Sequence, residues 1–266
     1  MLEICDLRIS FGSRELVHIE ELRCDAGEIL GLVGESGSGK SMTATAILGL
    51  AGRLGATVTG SIRLDGTELV GLSESAMLRV RGRRIAMIFQ SPSLAFNPVM
   101  KTGTLFTRVL RLHGERSRAT ARDRAEAAIA ELVLPPSVLD SYPLDLSGGQ
   151  LQRVAIAIAL ALHSEVLLAD EPTSALDVTV QAELLELLRR AAKTHHLAVL
   201  LISHDLAVVS EIADRIAVMQ SARLVEVGDT AKVVTNPQSP YTQQLVLAAT
   251  ELSAVSAKRA IGGRDA

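Results

Sequence analysis

The sequence predicts an α/β fold in which a helical segment interrupts a core of strands and helices. Short apolar runs typical of buried strands occur in both halves of the chain, with helical patterns between them. A glycine-rich stretch at residues 34–39 directly follows one strand candidate and precedes a helix candidate, as in a strand–loop–helix unit. Strand-like runs stop between residues 91 and 143, which predicts that the helical segment is inserted there.

The first half of the chain contains several strand candidates and the helix that follows the glycine-rich stretch. Residues 2–9 alternate between apolar and polar side chains, which is typical of an edge strand. Residues 29–33 form a short apolar run, and residues 41–50 are predicted to form a helix after it. The other strand candidates of this half are residues 59–64 and 85–89.

The second half is predicted to begin with helices and to return to strands. Helices are expected at residues 104–113 and 120–132, and prolines end the second of them. Residues 151–160 fit a buried helix; a strand also fits the alternation of alanines with larger apolar residues, but the alanine content and the preceding glycines favour the helix. Asp177 is predicted to cap a helix at residues 178–190. The strand candidates of this half are residues 166–169, 199–202, 216–219 and 224–227, the last two as a hairpin.

These patterns predict one domain at residues 1–250. Its core lobe comprises residues 1–90 and 164–230, and its helical subdomain comprises residues 91–163. Residues 231–266 are predicted to form a C-terminal helix and a tail.

The composition indicates a domain with a large aliphatic core. Hydrophobic residues make up 48% of the 266 residues and aromatic residues only 2%, so Val, Ile, Leu and Ala must fill the interior. The net charge of -3 argues against broad electrostatic binding to nucleic acid. The longest apolar run considered, residues 154–162, is too short to cross a bilayer, and no secretory leader is apparent. Cys5 and Cys24 are expected to be reduced core thiols.

The glycine-rich stretch matches the P-loop pattern G-x-x-x-x-G-K-[ST] at every defined position. Its glycines allow backbone N–H groups to converge on phosphate oxygens, because no Cβ blocks the turn. Lys40 adds a positive charge at the outer phosphates, and the Ser41 hydroxyl can bind Mg²⁺. An ordinary flexible loop is the alternative, which the flanking strand and helix disfavour. The residues of the stretch are Gly34, Glu35, Ser36, Gly37, Ser38, Gly39, Lys40 and Ser41.

A second stretch has the character of another anion-binding site. It places a hydroxyl and two glycines at the start of a predicted helix, where N–H groups and the helix dipole favour negative charge. One nucleotide rarely needs two such sites from a single subunit. Both are needed if two copies of the chain each supply one half of a shared site. The residues of this stretch are Leu146, Ser147, Gly148, Gly149 and Gln150.

Acidic residues end the strand predicted at residues 166–169. Asp170 is suited to hold Mg²⁺ through water, and Glu171 to polarise a water molecule aimed at the γ-phosphate of a nucleotide. The alternative is that both carboxylates only cap a loop, and Pro172 directly after them is consistent with that. The P-loop decides in favour of the nucleotide site.

Three further residues follow strand candidates. His204 and Gln90 each come after a predicted core strand, and the carboxyl ends of such strands gather at the ligand edge of an α/β sheet. His204 is therefore expected near the γ-phosphate, and Gln90 near Mg²⁺ or the attacking water. Phe11 comes after the first strand; stacking on adenine and filling the core are both open for it.

Together these motifs resemble those of the ATP-binding-cassette (ABC) ATPases, in the order in which that family carries them. The resemblance spans nearly the whole chain, and the Leu-Ser-Gly-Gly-Gln run is close to diagnostic. It implies a P-loop RecA-like core, an antiparallel β subdomain and an inserted helical subdomain. It also implies ATP and Mg²⁺ as ligands.

The resemblance implies a role for each matched residue. Phe11 would stack on adenine, residues 34–41 would bind phosphates, and Ser41, Gln90 and Asp170 would serve Mg²⁺. Glu171 would be the general base and His204 the γ-phosphate switch. Ser147, Gly148, Gly149 and Gln150 would complete the ATP site of the partner subunit, and Asp177 would communicate across the dimer.

A finer resemblance points to an importer branch that handles peptides and nickel. Residues 93–98 and 236–242 carry its motifs, and the short C-terminal end is more similar to the nickel-type subunits. The implied partners are two membrane-spanning permease subunits, a second ATP-binding subunit (identical or paralogous) and, indirectly, a solute-binding protein. The implied location is the cytoplasmic face of the inner membrane.

Other P-loop proteins are less consistent with the sequence. DNA-repair and chromosome ATPases insert long heptad-bearing coiled coils, and residues 91–143 lack a sustained heptad pattern. Translation-associated ATPases of this superfamily carry two cassettes, whereas this chain has one P-loop. A P-loop kinase or GTPase has no use for the second glycine stretch.

Overall fold

The computed structural model describes residues 1–91, 95–174 and 176–250. The predicted strands are confirmed, with longer bounds for most of them, but the first, Leu2–Phe11, pairs with a strand on each side and is not the edge strand that its alternation predicted. The strands are β1 (Leu2–Phe11), β2 (Arg14–Cys24), β3 (Ile29–Gly34), β4 (Thr57–Leu64), β5 (Thr67–Glu68), β6 (Ile85–Ile88), β7 (Val166–Asp170), β8 (Ala198–Ser203), β9 (Arg215–Gln220) and β10 (Arg223–Asp229). Within the described ranges they form one sheet in the order β5-β4-β1-β2-β10-β9-β3-β8-β7-β6.

The parallel half of the sheet is the buried core of the molecule. Strands β9, β3, β8, β7 and β6 run parallel to one another, and every residue of β3, β7 and β8 is buried. Alternate residues of β3 enter opposite apolar layers: Ile29 and Val33 pack with the helical segment, and Leu30 and Leu32 pack with β1 and β2. Burial on both faces explains why these strands are continuous apolar runs rather than alternating ones.

The parallel arrangement brings the predicted site residues to one edge of the sheet. Because β3, β6, β7 and β8 point the same way, the loops that follow them start at the same edge. These loops carry the P-loop, Gln90, Glu171 and His204.

The antiparallel half of the sheet contains a strand that the sequence patterns did not reveal. Strand β2 pairs along its length with β1 across a two-residue turn, Gly12-Ser13, since Phe11 pairs with Arg14. The charged residues of β2 interrupt its apolar face, which conceals its alternation. Among the described residues, the ladder between β2 and β10 has one register pair, His18 with Arg223.

The predicted helices are confirmed, including the helical alternative for residues 151–160. Two short helices near residues 74–80 and 206–210 were not predicted, because each spans fewer than eight residues and shows little periodicity. The helices are α1 (Lys40–Ile47), α2 (Glu74–Val80), α3 (Thr102–Leu112), α4 (Arg118–Glu131), α5 (Gly148–Ala161), α6 (Val178–His195), α7 (Leu206–Ser210), α8 (Thr230–Thr235) and α9 (residues 240–250).

The inserted segment is helical in its described part. Helices α3, α4 and α5 pack through apolar residues such as Phe106, Ala125 and Val154, all fully buried. Residues 93 and 94 of the branch motif at 93–98, and residues 251–266 of the predicted tail, lie outside the described residues. No helix among the described residues is long and apolar enough to span a membrane.

The prediction for the two cysteines is half correct. Cys24 is buried, and burial raises the pKa of its thiol to about 12, so it stays protonated. Cys5 is exposed, and the prediction that it is a core thiol was wrong. It lies on β1 at an outward-facing position of the strand, where the alternation of side chains takes it away from the core.

Candidate functional site

The P-loop connects the end of β3 to the start of α1, as the sequence predicted. Glycine is required at two positions of the loop, because backbone atoms of neighbouring strands approach them closely. A Cβ on Gly34 would collide with the carbonyl of Met219, and a Cβ on Gly39 would lie 2.6 Å from the Leu16 carbonyl oxygen of β2. The loop is therefore pressed between the ends of β2 and β9, which fixes its curvature.

Lys40 is buried inside the loop. Its ammonium donates to the carbonyl oxygens of Gly34 at 2.7 Å and Glu35 at 2.8 Å. Burial lowers the pKa of Lys40 from its usual value, although Glu171, Asp170 and Glu35 act in the opposite direction. The positive charge is thus concentrated in the concave side of a loop rich in N–H groups, which suits an anionic phosphate chain.

Ser41 and Asp170 form the pair that the sequence predicted for Mg²⁺. The Ser41 hydroxyl donates to a carboxylate oxygen of Asp170 at 3.1 Å. Burial raises the pKa of Asp170; the neighbouring Glu171 adds to this effect, while Ser41 and Lys40 oppose it. A divalent cation stabilises a buried carboxylate beside a hydroxyl, because it offsets the cost of removing the negative charge from water. The donor set therefore fits Mg²⁺.

Glu171 is held from two sides by residues that the sequence placed at the same edge. One of its carboxylate oxygens accepts from the Gln90 amide at 2.7 Å. The other lies 2.8 Å from Nδ1 of His204, which must carry the proton because a carboxylate only accepts. The Glu171 side chain is 16% exposed and that of His204 is 55% exposed. Each carboxylate oxygen retains a free lone pair, so Glu171 can still accept a hydrogen bond from water.

The backbone of Glu171 is in the left-handed region, with φ of 46°. This conformation costs a residue with a Cβ on the order of 1 kcal/mol. It is retained because the N–H of Glu171 donates to the Ile202 carbonyl of β8 at 2.8 Å, which continues the pairing of β7 beyond its end. The strained turn directs the carboxylate toward Gln90 and His204 rather than along the strand.

Phe11 does not fill the core. Its side chain is 52% exposed at the end of β1, and its ring covers Gly55. It pairs with Arg14, two residues along β2 from Leu16, whose carbonyl touches the P-loop. An exposed aromatic ring at the end of β1 is consistent with stacking on a base, and stacking stays a prediction.

The second glycine stretch begins helix α5. Ser147 and Gln150 form a reciprocal cap, in which the Gln150 N–H donates to the Ser147 hydroxyl at 3.3 Å and the Ser147 N–H donates to the Gln150 side chain at 2.9 Å. Ser147 is exposed and Gln150 is half-buried. In the described residues, no side-chain hydrogen bond joins this helix end to residues 34–41 of the same chain. The structure does not bring the two stretches together within one subunit.

The two glycines of this stretch differ in whether packing within the chain requires them. Gly149 is buried, and a Cβ there would lie 2.6 Å from Val180 of α6. Gly148 is exposed, and a Cβ there would meet its nearest neighbour, Leu176, at an ordinary 3.6 Å. Packing within the chain therefore explains why residue 149 is glycine, but it does not explain the glycine at position 148.

Alanine at these two positions is expected to have different effects on stability. Gly149→Ala should reduce the free energy of unfolding by about 1–3 kcal/mol, because the new methyl group overpacks the contact with Val180. Gly148→Ala should leave it unchanged or raise it slightly, since alanine favours a helix. Urea unfolding of both variants tests this. Equal losses would contradict the assigned packing role.

Asp177 caps α6, as predicted. Its carboxylate accepts from the Val180 N–H at 3.0 Å, and both Asp177 and the neighbouring Val178 are exposed. The adjacent Ala175 lies outside the described residues. An exposed acidic cap beside an apolar residue that is 83% exposed is consistent with a contact to a second subunit, which stays a prediction.

One contact at the site was not anticipated. The Tyr241 hydroxyl accepts a hydrogen bond at 2.9 Å from the N–H of Glu35 in the P-loop. The sequence signalled Tyr241 only as part of the motif at residues 236–242. Because 206 residues separate the two partners, no local pattern could have predicted their contact.

The chain is similar to known proteins in both sequence and fold. The family described as ABC transporter matches residues 17–174. In fold, the chain is similar to a dimeric ATP-binding cassette in a post-hydrolysis state bound to ADP and Pi. The TM-score is 0.74 at 26% identity, covering 86% of this chain and 99% of that one.

Three curated relatives are similar over most of the chain. An oligopeptide transport ATP-binding protein of Bacillus subtilis is 43% identical over 92% of this chain and 71% of its own length. A putative peptide import ATP-binding protein of Brucella abortus is 43% identical over 95% of this chain and 78% of its own length. A probable D,D-dipeptide transport ATP-binding protein of Escherichia coli is 42% identical over 94% of this chain and 79% of its own length.

Proposed function

Because the chain belongs to the ABC transporter family of ATPases, we propose that it hydrolyses ATP to drive an importer of short peptides. The observation that supports the cargo is the similarity, at 42–43% identity, to three relatives named for oligopeptide, peptide and D,D-dipeptide transport. None of these three is named for nickel. Nickel therefore remains an outcome of the test below and is not the proposal.

ATP binding is assigned to the P-loop and its neighbours. The N–H groups of residues 36–41 hold the phosphates, and Lys40 offsets their charge from within the loop. Phe11 is proposed to stack on adenine at the exposed end of β1. Ser41 and Asp170 are proposed to hold Mg²⁺, with Gln90 beside them; a cation held there would supply positive charge that offsets the charge of the phosphates.

Glu171 is proposed as the general base. It orients a water molecule and accepts its proton while Gln90 and His204 hold the carboxylate in place. His204 is also proposed to contact the γ-phosphate, because its side chain is 55% exposed whereas that of Glu171 is 16% exposed. Gln90 donates a hydrogen bond directly to Glu171, so a displacement of the loop that carries Gln90 would change the orientation of the Glu171 carboxylate.

A second ATP-binding subunit is proposed to complete each site. Ser147, Gly148, Gly149 and Gln150 form the start of α5, where the N–H groups of Gly148 and Gly149 have no acceptor within the helix, and this end would meet the phosphates bound by the partner's P-loop. The helical subdomain at residues 91–163 carries this end, and the core lobe at residues 1–90 and 164–230 carries the P-loop. Asp177 is proposed to contact the partner subunit. The partner is an identical or a paralogous chain.

The chain is proposed to act at the cytoplasmic face of the cell membrane, bound to two membrane-spanning permease subunits that receive cargo from a solute-binding protein. Closure of the ATPase pair around ATP and its reopening after hydrolysis would move the permeases between two orientations. The helical subdomain and the loop that begins with Gln90 are the surfaces proposed to contact them.

Uptake measurements in the source cell test the cargo. A strain whose chromosomal copy carries Lys40→Ala should lose uptake of labelled dipeptides and oligopeptides, because the ammonium that neutralises the phosphates is removed. Uptake of nickel should be unchanged. The matched control is Glu186→Gln, which alters an exposed charge on α6. Loss of nickel uptake with normal peptide uptake would reverse the assignment, and normal uptake of both would refute it.

A further inference from the structure

The C-terminal motif at residues 236–242 is fastened to the sheet by a carboxylate. Glu226 of β10 accepts from the N–H groups of Gln238 and Ser239, both at 2.9 Å. Burial opposes the charge, but these two N–H groups lower the pKa of Glu226 below its usual value. A charge-assisted contact of this kind is stronger than one between neutral groups. The motif therefore has a fixed position relative to the sheet.

The same motif begins helix α9 and directs Tyr241 inward. The Ser239 hydroxyl accepts from the Tyr241 N–H at 3.3 Å, and the first helical residue is a proline, Pro240, which needs no N–H there. The ring of Tyr241 packs against the apolar core together with Leu245 and Val246. With the helix start and the ring both held, the hydroxyl is placed with little remaining freedom.

Tyr241 and Lys40 bind opposite sides of one peptide group. The N–H of Glu35 donates to the Tyr241 hydroxyl at 2.9 Å. The carbonyl of Gly34, which belongs to the same planar peptide, accepts from the Lys40 ammonium at 2.7 Å. Rotation of this peptide would move both groups at once. The orientation of the carbonyl that receives Lys40 thus depends on a residue of the C-terminal helix.

We propose that Tyr241 is a positioning residue for the P-loop, which holds the Gly34–Glu35 peptide so that Lys40 is ordered for nucleotide binding. The inference rests on the proposed role of the P-loop in binding ATP. By thermodynamic reciprocity, ATP binding must change the strength of the Tyr241 contact to the same degree as that contact changes ATP binding. Helix α9 is therefore coupled to the nucleotide state of the site.

Kinetics of Tyr241→Phe test the positioning role. The variant keeps the packed ring and loses one hydrogen bond, so KM for ATP should rise between about twofold and tenfold while kcat changes little. Glu226→Gln weakens the anchor of the motif and should raise KM in the same direction. Tyr142→Phe is the matched control, because it removes the hydroxyl of the other tyrosine in the chain. Its ring stays beside Lys101, and its KM should equal that of the wild type.

Tyrosine fluorescence provides a readout that a purely structural role would not change. The chain has no Trp and two Tyr, so the emission of Tyr142→Phe comes from Tyr241 alone. Titration of this variant with Mg·ATP should change the emission with a midpoint at the ATP affinity. An unchanged KM in Tyr241→Phe, or a fall in kcat without a rise in KM, would overturn the inference, as would an emission that ATP leaves unaltered. Peptide uptake is measured separately, so that failure there counts against the proposed cargo and not against Tyr241.

Discussion

Replacing Glu171 with glutamine is expected to slow ATP hydrolysis by about 10²–10⁴-fold. Glutamine retains the shape of the side chain, and its amide can still contact Gln90 or His204, but it cannot accept a proton from water. ATP binding should persist, because the P-loop, Lys40 and the pair of Ser41 and Asp170 are unaltered. The variant should therefore accumulate as an ATP-bound dimer, which size-exclusion chromatography with and without ATP detects.

The control for this experiment is a glutamate outside the site. Glu186→Gln removes a carboxylate from an exposed ion pair with Arg189 on α6, and such a pair contributes little to the stability of the fold. It should hydrolyse ATP at the wild-type rate. Steady-state hydrolysis by Glu171→Gln at that same rate would show that another group accepts the proton, and the strained turn at Glu171 would then need a different explanation.

The second large effect is expected when two inactive variants are mixed. Lys40→Ala disables the P-loop, and Ser147→Arg blocks the exposed start of α5, so each variant alone should have almost no activity. In a dimer that contains one of each, both defects fall in the same shared site and the other site is intact. Mixing equal amounts should restore about a quarter of the wild-type activity, because half of the dimers are mixed and each holds one intact site of two.

A second mixture serves as the negative control. The Ser41 hydroxyl is 3.1 Å from Asp170 in the same chain, so Glu171 lies beside the P-loop of its own subunit. When Lys40→Ala is mixed with Glu171→Gln, each mixed dimer therefore has a defect in both sites, and mixing should restore no ATPase activity. Co-purification of differently tagged chains establishes that mixed dimers form. Mixed dimers of the first pair that stay inactive would contradict the shared site.

Comparison of the sequence with the structure separates two kinds of residue. Those at the ends of core strands were predictable: Gln90, Asp170, Glu171 and His204 each follow a continuous apolar run, and parallel strands deliver their ends to one edge. The P-loop was predictable for the same reason, because its strand and helix are adjacent in sequence. Local order along the chain was enough in these cases.

Other features depended on packing between distant segments. Phe11 had two open interpretations until its ring proved to be exposed at the end of β1. Strand β2 was missed because charged residues break its apolar face, yet its Leu16 carbonyl presses on the P-loop. The two adjacent glycines 148 and 149 cannot be distinguished by composition, and only the position of Val180 separates their roles.

The sequence by itself was sufficient to predict which chemical groups occur and in what order: a phosphate-binding loop, a pair of residues for Mg²⁺, a base and a second anion site. Each of these is encoded by residues close to one another in the chain, where spacing and residue type determine local geometry. Only the tertiary structure revealed how the groups are held. The contacts of Glu171 with Gln90 and His204, and of Tyr241 with Glu35, join segments that are 33 to 206 residues apart. Such contacts depend on how strands and helices pack, and side-chain packing leaves no periodic signal in the sequence.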